Sequence, residues 1–114
     1  MINYDGRKFR SVSNSAAGDV GDRTFFYYRQ KDRIVWGDYY GGTIVRGNLV
    51  GKVDEAGNLE MVYQHVTSCG QFKTGYCRSK PEVLPDNRLR LHEIWRWTTG
   101  DSGNGESIIE ELVL

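Results

Sequence analysis

The sequence predicts an all-β chain closed into an eight-stranded antiparallel up-and-down barrel. Three observations carry that prediction. Fourteen glycines and only two prolines punctuate 114 residues, and glycine at that level marks many turns. Three Trp, seven Tyr and four Phe suit pleated, half-buried surfaces. The connections are short and sequential, whereas a Greek key needs at least one long return. Closure would also remove the edges that a flat sheet exposes. A two-sheet sandwich is the alternative. The length is that of one domain, residues 1–114, large enough for a single hydrophobic core.

The elements follow in order. Asp5-Gly6 is a hairpin turn between Ile2–Tyr4 and Lys8–Ser13, and Asn14–Asp22 is a small, polar loop. Thr24–Gln30 is an aromatic-rich strand, and Lys31-Asp32 turns tightly into Ile34–Tyr40. Gly41-Gly42 turns the chain into Ile44–Val53, and Asp54–Asn58 is a loop with Gly57 placed for a left-handed residue. Leu59–Thr67, the turn Ser68-Cys69-Gly70 and Gln71–Ser79 come next. Lys80–Asn87, with both prolines, is the one long connection before the longest strand, Leu89–Thr99. A glycine-rich loop, Gly100–Gly105, leads to Ser107–Val113. That last segment fits a helix or a strand, and a strand is preferred because seven strands need an eighth to close.

Turn lengths phase the faces. The Asp54–Asn58 loop sets Val53 opposite Leu59, Gly51 opposite Met61, Leu49 opposite Tyr63 and Gly47 opposite His65. Small residues facing large ones are how a narrow barrel fills. A three-residue turn ending at Gly70 puts Gly75, Cys77 and Ser79 on the face of Tyr63; a two-residue turn would put Tyr76 and Arg78 inside instead. In strand seven, Leu89, Leu91, Glu93, Trp95 and Trp97 share the inward face. For strands two and three, the Lys31-Asp32 turn pairs Tyr28 with Val35 and Phe26 with Gly37. Whether that face and Tyr39 point inward, or Phe25, Trp36 and Asp38 do, depends on the Gly41-Gly42 turn.

Charge and motifs exclude several function classes. Fifteen Lys plus Arg balance fifteen Asp plus Glu, so neither nucleic acid nor an anionic membrane is an expected partner. No run of about 18 apolar residues occurs, and Met1–Arg10 lacks the apolar core of a secretory signal, which places the protein in the cytoplasm. Cys69, at a hairpin tip, and Cys77, well along the next strand, lie beyond the ~7 Å reach of a disulfide. Two free thiols fit a reducing compartment. No metal-ligand spacing links them to His65 and His92. His92-Glu93 begins like H-E-x-x-H, but Arg96 stands in the last position and a strand sends the two side chains to opposite faces. No nucleophile elbow, P-loop or dinucleotide fingerprint occurs, so no cofactor is expected.

Glu93 in the middle of an aromatic stripe is the most informative feature, because a buried ionised carboxylate is costly unless paired or hydrogen-bonded. It reads either as an acid, base or anchor in a pocket that raises its pKa, or as a structural carboxylate satisfied by Tyr63 or a serine hydroxyl. The candidate ligand-binding set is Tyr28, Tyr39, Tyr63, His65, Ser79, Glu93, Trp95 and Trp97, with plain core packing as the rival role. His65 has no orienting partner evident in sequence, and Cys77 has no base placed by spacing. Ser11, Ser13, Asn14 and Ser15 either cap the loop after strand one or reach a ligand at the barrel mouth.

Phe9-Arg10-Ser11-Val12-Ser13-Asn14-Ser15, Gly47-Asn48-Leu49-Val50-Gly51 with Val53-Asp54, Thr74-Gly75-Tyr76-Cys77 with Pro81-Glu82, and His92-Glu93-Ile94-Trp95-Arg96-Trp97 before Gly100-Asp101 form a set. Together they resemble a family of short bacterial proteins often labelled N-acetylglutamate synthase. The resemblance covers nearly the whole chain and implies an avidin-like or lipocalin-like barrel, with Gly75 and Cys77 on the face of Tyr63. An acetyl-CoA-dependent transferase would call for an α/β fold and a glycine-bearing pyrophosphate loop opening a helix. Arg46–Gly51 carries glycines but reads as strand, so the transferase activity in that label is not expected here.

Three functions follow from these residues. The first is a barrel binding a compact, partly apolar ligand, with Tyr63, Trp95 and Trp97 as walls and Glu93 as anchor. The second is an isomerase or cyclase using Glu93 as acid or base. The third is a filled barrel that works by assembly. A cavity of several hundred cubic ångströms reaching Glu93 would favour the first two. A side-chain-packed interior with an apolar outer face of residues such as Ile44, Val50, Val62 and Val66 would favour the third, and that outer face suggests a homodimer or tetramer.

Overall fold

Eight strands follow one another in a computed structural model that describes residues 2–15, 18–100 and 103–113. They are β1 (Lys8–Asn14), β2 (Phe25–Lys31), β3 (Ile34–Gly41), β4 (Ile44–Val53), β5 (Leu59–Thr67), β6 (Phe72–Val83), β7 (Leu89–Trp97) and β8 (Asn104–Glu111). Each pairs antiparallel with its neighbour in sequence, and β8 returns to β1 to close the barrel. The segment that fitted helix or strand is therefore strand. Pairing with both β7 and β1 satisfies its backbone on two sides, which outweighs its weak helical periodicity. Among the described residues no helix is long and apolar enough to cross a membrane.

The central registers are those the turns dictate. Val53 faces Leu59, Gly51 faces Met61, Leu49 faces Tyr63 and Gly47 faces His65. The turn ending at Gly70 (φ +80°) sets Tyr63 against Gly75, Met61 against Cys77 and Leu59 against Ser79. Glycine is required at two of these places. A Cβ on Gly75 would strike the ring of Tyr63, and one on Gly47 would lie 2.6 Å from the ring of Tyr39 and 2.9 Å from His65 Cβ. On β2 and β3 the inward face is that of Phe26, Tyr28, Val35 and Tyr39, while Trp36 and Asp38 face out and Phe25 is only half-buried.

Five local expectations are corrected. Ile2–Tyr4 is not a strand: it folds under the barrel, where buried Tyr4 packs on Tyr28 and its hydroxyl donates to the carbonyl of Gly57. The β2–β3 turn is Asp32-Arg33, with Asp32 at φ +54°, so Tyr28 faces Gly37 and Phe26 faces Tyr39. That shift is two residues and leaves the inward face unchanged. The β3–β4 turn is Gly42-Thr43, and a bulge at Val45-Arg46 turns Ile44 inward, where it is buried and not part of any outer face. β6 runs through Pro81 to Val83, so Lys80–Asn87 is no long loop; the connection is a tight turn in which Asn87 takes φ +70°. Proline is tolerated there because β5 begins at Leu59, opposite Ser79, and beyond it β6 is paired only with β7. β7 ends at Trp97, and β8 begins at Asn104, earlier than expected.

Candidate functional site

Tyr4 and its neighbours fill one end of the barrel, and a cavity of about 60 Å³ opens toward the other. Inward-facing residues build it row by row across the sheet. The deepest row crosses β6, β7 and β8 as Ser79, Glu93 and Ser107 and continues to Asn14 on β1. Met61, Cys77 and Trp95 make the next row, and Tyr63, Gly75 and Trp97 the one nearest the mouth. Tyr28 and Tyr39 complete the wall from β2 and β3. Trp95 and Trp97 are tilted, 5.4 Å apart at 54°, and Tyr63 and Trp97 stand edge to face, 5.8 Å apart at 66°.

Glu93 is the cavity's only acidic floor group among the described lining residues. Ser107 Oγ donates to Glu93 Oε1 at 3.0 Å, and the Cys77 thiol approaches Oε2 at 3.8 Å. The serine hydroxyl anticipated as its satisfier thus comes from β8, and Tyr63 bonds instead toward the Arg96 carbonyl at 3.5 Å. Burial pushes the carboxyl up from its ordinary 4.5 to about 7, the two donors offsetting only part of the effect. Burial also pushes up the Cys77 thiol, which the nearby carboxyl reinforces, so Cys77 is a protonated neighbour and not a nucleophile.

A second polar group sits at the mouth. His65 Nδ1 lies 2.8 Å from the Tyr39 hydroxyl, and Nε2 lies 3.0 Å from Asp19 Oδ2. Burial lowers the pKa of His65 although Asp19 opposes it, so the neutral ring donates from Nε2 to Asp19 and accepts from Tyr39. Burial works against ionisation of Asp19, but hydrogen bonds from His65 and Lys73 overcome it and hold the carboxyl below the usual range. Lys73 Nζ is 3.1 Å from Asp19 Oδ1 and stands 4.9 Å from the centroid of Trp97. The Asp19 carbonyl accepts from Thr43, and the Val20 carbonyl accepts from Asn14 Nδ2, which fixes Gly18–Val20 against the mouth.

Seven of the eight candidate residues line this cavity: Tyr28, Tyr39, Tyr63, His65, Glu93, Trp95 and Trp97. Ser79 does not reach it; its hydroxyl is buried beside Glu93 without a hydrogen-bond partner. A bulge between Ser11 and Ser13 separates the serine cluster. Ser11 is buried, Ser13 is exposed, and Asn14 turns inward to accept the indole N–H of Trp95 at 3.1 Å. Asp19 is the residue that sequence reasoning missed, because its contacts cross from a loop to β5 and β6. At about 60 Å³ the cavity reaches Glu93 but falls short of the several hundred cubic ångströms that would favour a ligand site or an enzyme over a filled barrel, because Tyr28, Tyr39, Met61 and Trp95 fill the space between the walls. No group of three or more His, Cys, Asp or Glu among the described residues is placed to hold a metal ion.

A family model described as avidin-like protein matches residues 2–112. The chain belongs to the avidin-like family. A search of curated proteins gives no match. In this avidin-like barrel Arg46–Gly51 lies within β4, so no glycine-bearing loop opens a helix there.

Proposed function

We propose that this avidin-like barrel binds a compact, partly apolar small molecule in its interior, with Glu93 as polar anchor. The observation that carries the reading is a carboxyl at the foot of an aromatic-walled cavity that opens at one end. Such pockets combine apolar walls with a few convergent polar groups. At about 60 Å³ the space is well under the roughly 300–1,000 Å³ of sites for drug-sized ligands. The ligand is therefore small, or it enters by displacing Tyr63 and Trp97, both only half-buried at the mouth. Binding is preferred to turnover because the Cys77 thiol beside Glu93 is held neutral and, among the described residues, no second activated group faces it. Two free cysteines support a reducing compartment, and self-association through the outer wall belongs to the same reading.

Native mass spectrometry of the purified protein tests this. The expected result is a non-covalent adduct of one small molecule that is lost in Glu93→Gln. A bare chain whose tryptophan fluorescence ignores a library of millimolar fragments overturns the reading and leaves a filled barrel.

A further inference from the structure

The interior carboxyl has donors but no counter-charge. Both oxygens of Glu93 are approached by donors, Ser107 Oγ and Cys77 Sγ, an arrangement that suits the ionised form better than the acid. Among the described residues no Lys, Arg or His pairs with it; Lys73 and His65 are committed to Asp19 at the mouth. Beside it the hydroxyl of Ser79 is buried and unpartnered, which leaves an acceptor lone pair unused. The walls above it are the aromatic side chains of Trp95, Trp97 and Tyr63. One of these rings already holds a cation in the free protein, since the Lys73 ammonium sits over Trp97.

We infer that the cavity is the seat of a compact organic cation, an amidinium, guanidinium or small ammonium, paired with Glu93 and enclosed by the indoles of Trp95 and Trp97. This rests on the small-molecule reading above and names its ligand class. A carboxylate without a partner is costly in such a place, and a cation that brings its own positive charge removes the cost. A planar amidinium offers paired N–H donors to the two Glu93 oxygens, in the manner of a guanidinium fork. The cation's faces meet the rings. The small volume excludes bulky cations. The titratable groups nearest Glu93 are the phenols of Tyr4, Tyr28, Tyr39 and Tyr63 and the thiol of Cys77, all kept neutral by burial, while His65 and Asp19 face the same cavity from its mouth and are bonded to each other. Binding the cation therefore draws the proton from Glu93 and from no other interior group.

Acetamidinium and acetamide are nearly isosteric and differ by one charge, so they serve as probes. Titrations followed by tryptophan fluorescence should show at least tenfold tighter binding of acetamidinium at pH 7.5. That preference should fall as the pH drops below 7 and vanish in Glu93→Gln, with circular dichroism confirming that the variant is folded. Calorimetry in buffers of different ionisation heat should show protons released on binding. Acetamide binding as well as or better than acetamidinium overturns the cation assignment while the small-molecule reading stands. Acetamidinium binding that Glu93→Gln leaves unchanged also overturns it. If neither probe binds at millimolar concentration, the cation assignment falls, and the fragment library and native mass spectrometry above decide the small-molecule reading.

Discussion

Glu93 shows how one residue can be found from periodicity alone. Strand alternation puts it on the face of Trp95 and Trp97, and the structure keeps it there. Its partner Ser107 lies on the next strand and was visible only as a class of group, a serine hydroxyl, because β8 had no independent register before closure. Its energetics follow from burial. The folded protein holds the Glu93 proton to about pH 7, whereas the unfolded chain releases it near the ordinary 4.5. Below 4.5 both states are protonated and the shift has no effect. As pH rises from 4.5 to 7 the folded state loses ground, and the loss levels off at roughly 3 kcal/mol once both states are ionised. Glu93→Gln removes this titration while keeping shape and an acceptor for Ser107. The variant should therefore be about 2–3 kcal/mol more stable than the parent near pH 8 and close to it near pH 5. Urea midpoints at the two pH values check this, and a pH profile shared by both proteins counts against it.

The elements were legible wherever a turn of defined length joined two alternating strands. The β4–β5 and β5–β6 hairpins show it, since Gly57 and Gly70 fix the loop geometry and the side chains fix the face. Bulges escaped because an extra residue at Val45-Arg46 or between Ser11 and Ser13 leaves no mark in composition. The first bulge moved Ile44 inward, and the second let Asn14 reach Trp95. The β1–β2 connection escaped for another reason: its contacts join Asp19 to His65, 46 residues away. That connection yields a prediction of its own. Asp19 is ionised above the usual carboxylate range and below it loses its hold on His65 and Lys73, so its contribution is complete at neutral pH and fades in acid. Asp19→Asn should lower unfolding free energy at neutral pH by about 1–2 kcal/mol. Amide hydrogen exchange at Gly18–Val20 should quicken while the β4–β5 amides keep their protection. Unchanged exchange at Val20 would show that Thr43 and Asn14 hold the segment without Asp19.

At the scale of the molecule, closure decides both what is protected and what is left outside. With β8 paired to β1 the barrel closes, and among the described residues only short strand ends such as Pro81–Val83 are paired on one side, so self-association is expected through a barrel wall. The wall formed by β3 to β6 carries one apolar row on its outer face. Trp36, Val50, Val62 and Tyr76 are successive register partners, and Val50 and Val62 are 49% and 53% exposed. Polar residues bound it on both sides, Asp38–Asn48–Gln64–Thr74 on one and, after Ile34 on β3, Lys52–Glu60–Arg78 on the other. An apolar strip with a polar rim is the surface pattern of an interface core. Val50 and Val62 keep the outward role that alternation gave them, Val66 is half-buried, and Ile44 leaves the set. The protein should therefore be a homodimer or tetramer at concentrations on the order of tens of micromolar, and Val62→Glu should shift it to monomer. Light scattering reads the mass and circular dichroism confirms that the barrel persists. Because Val62 faces away from the cavity, the variant should bind interior ligands as the parent does. A parent protein that scatters as a clean monomer would remove assembly from the account and leave the outer row as ordinary exposed surface.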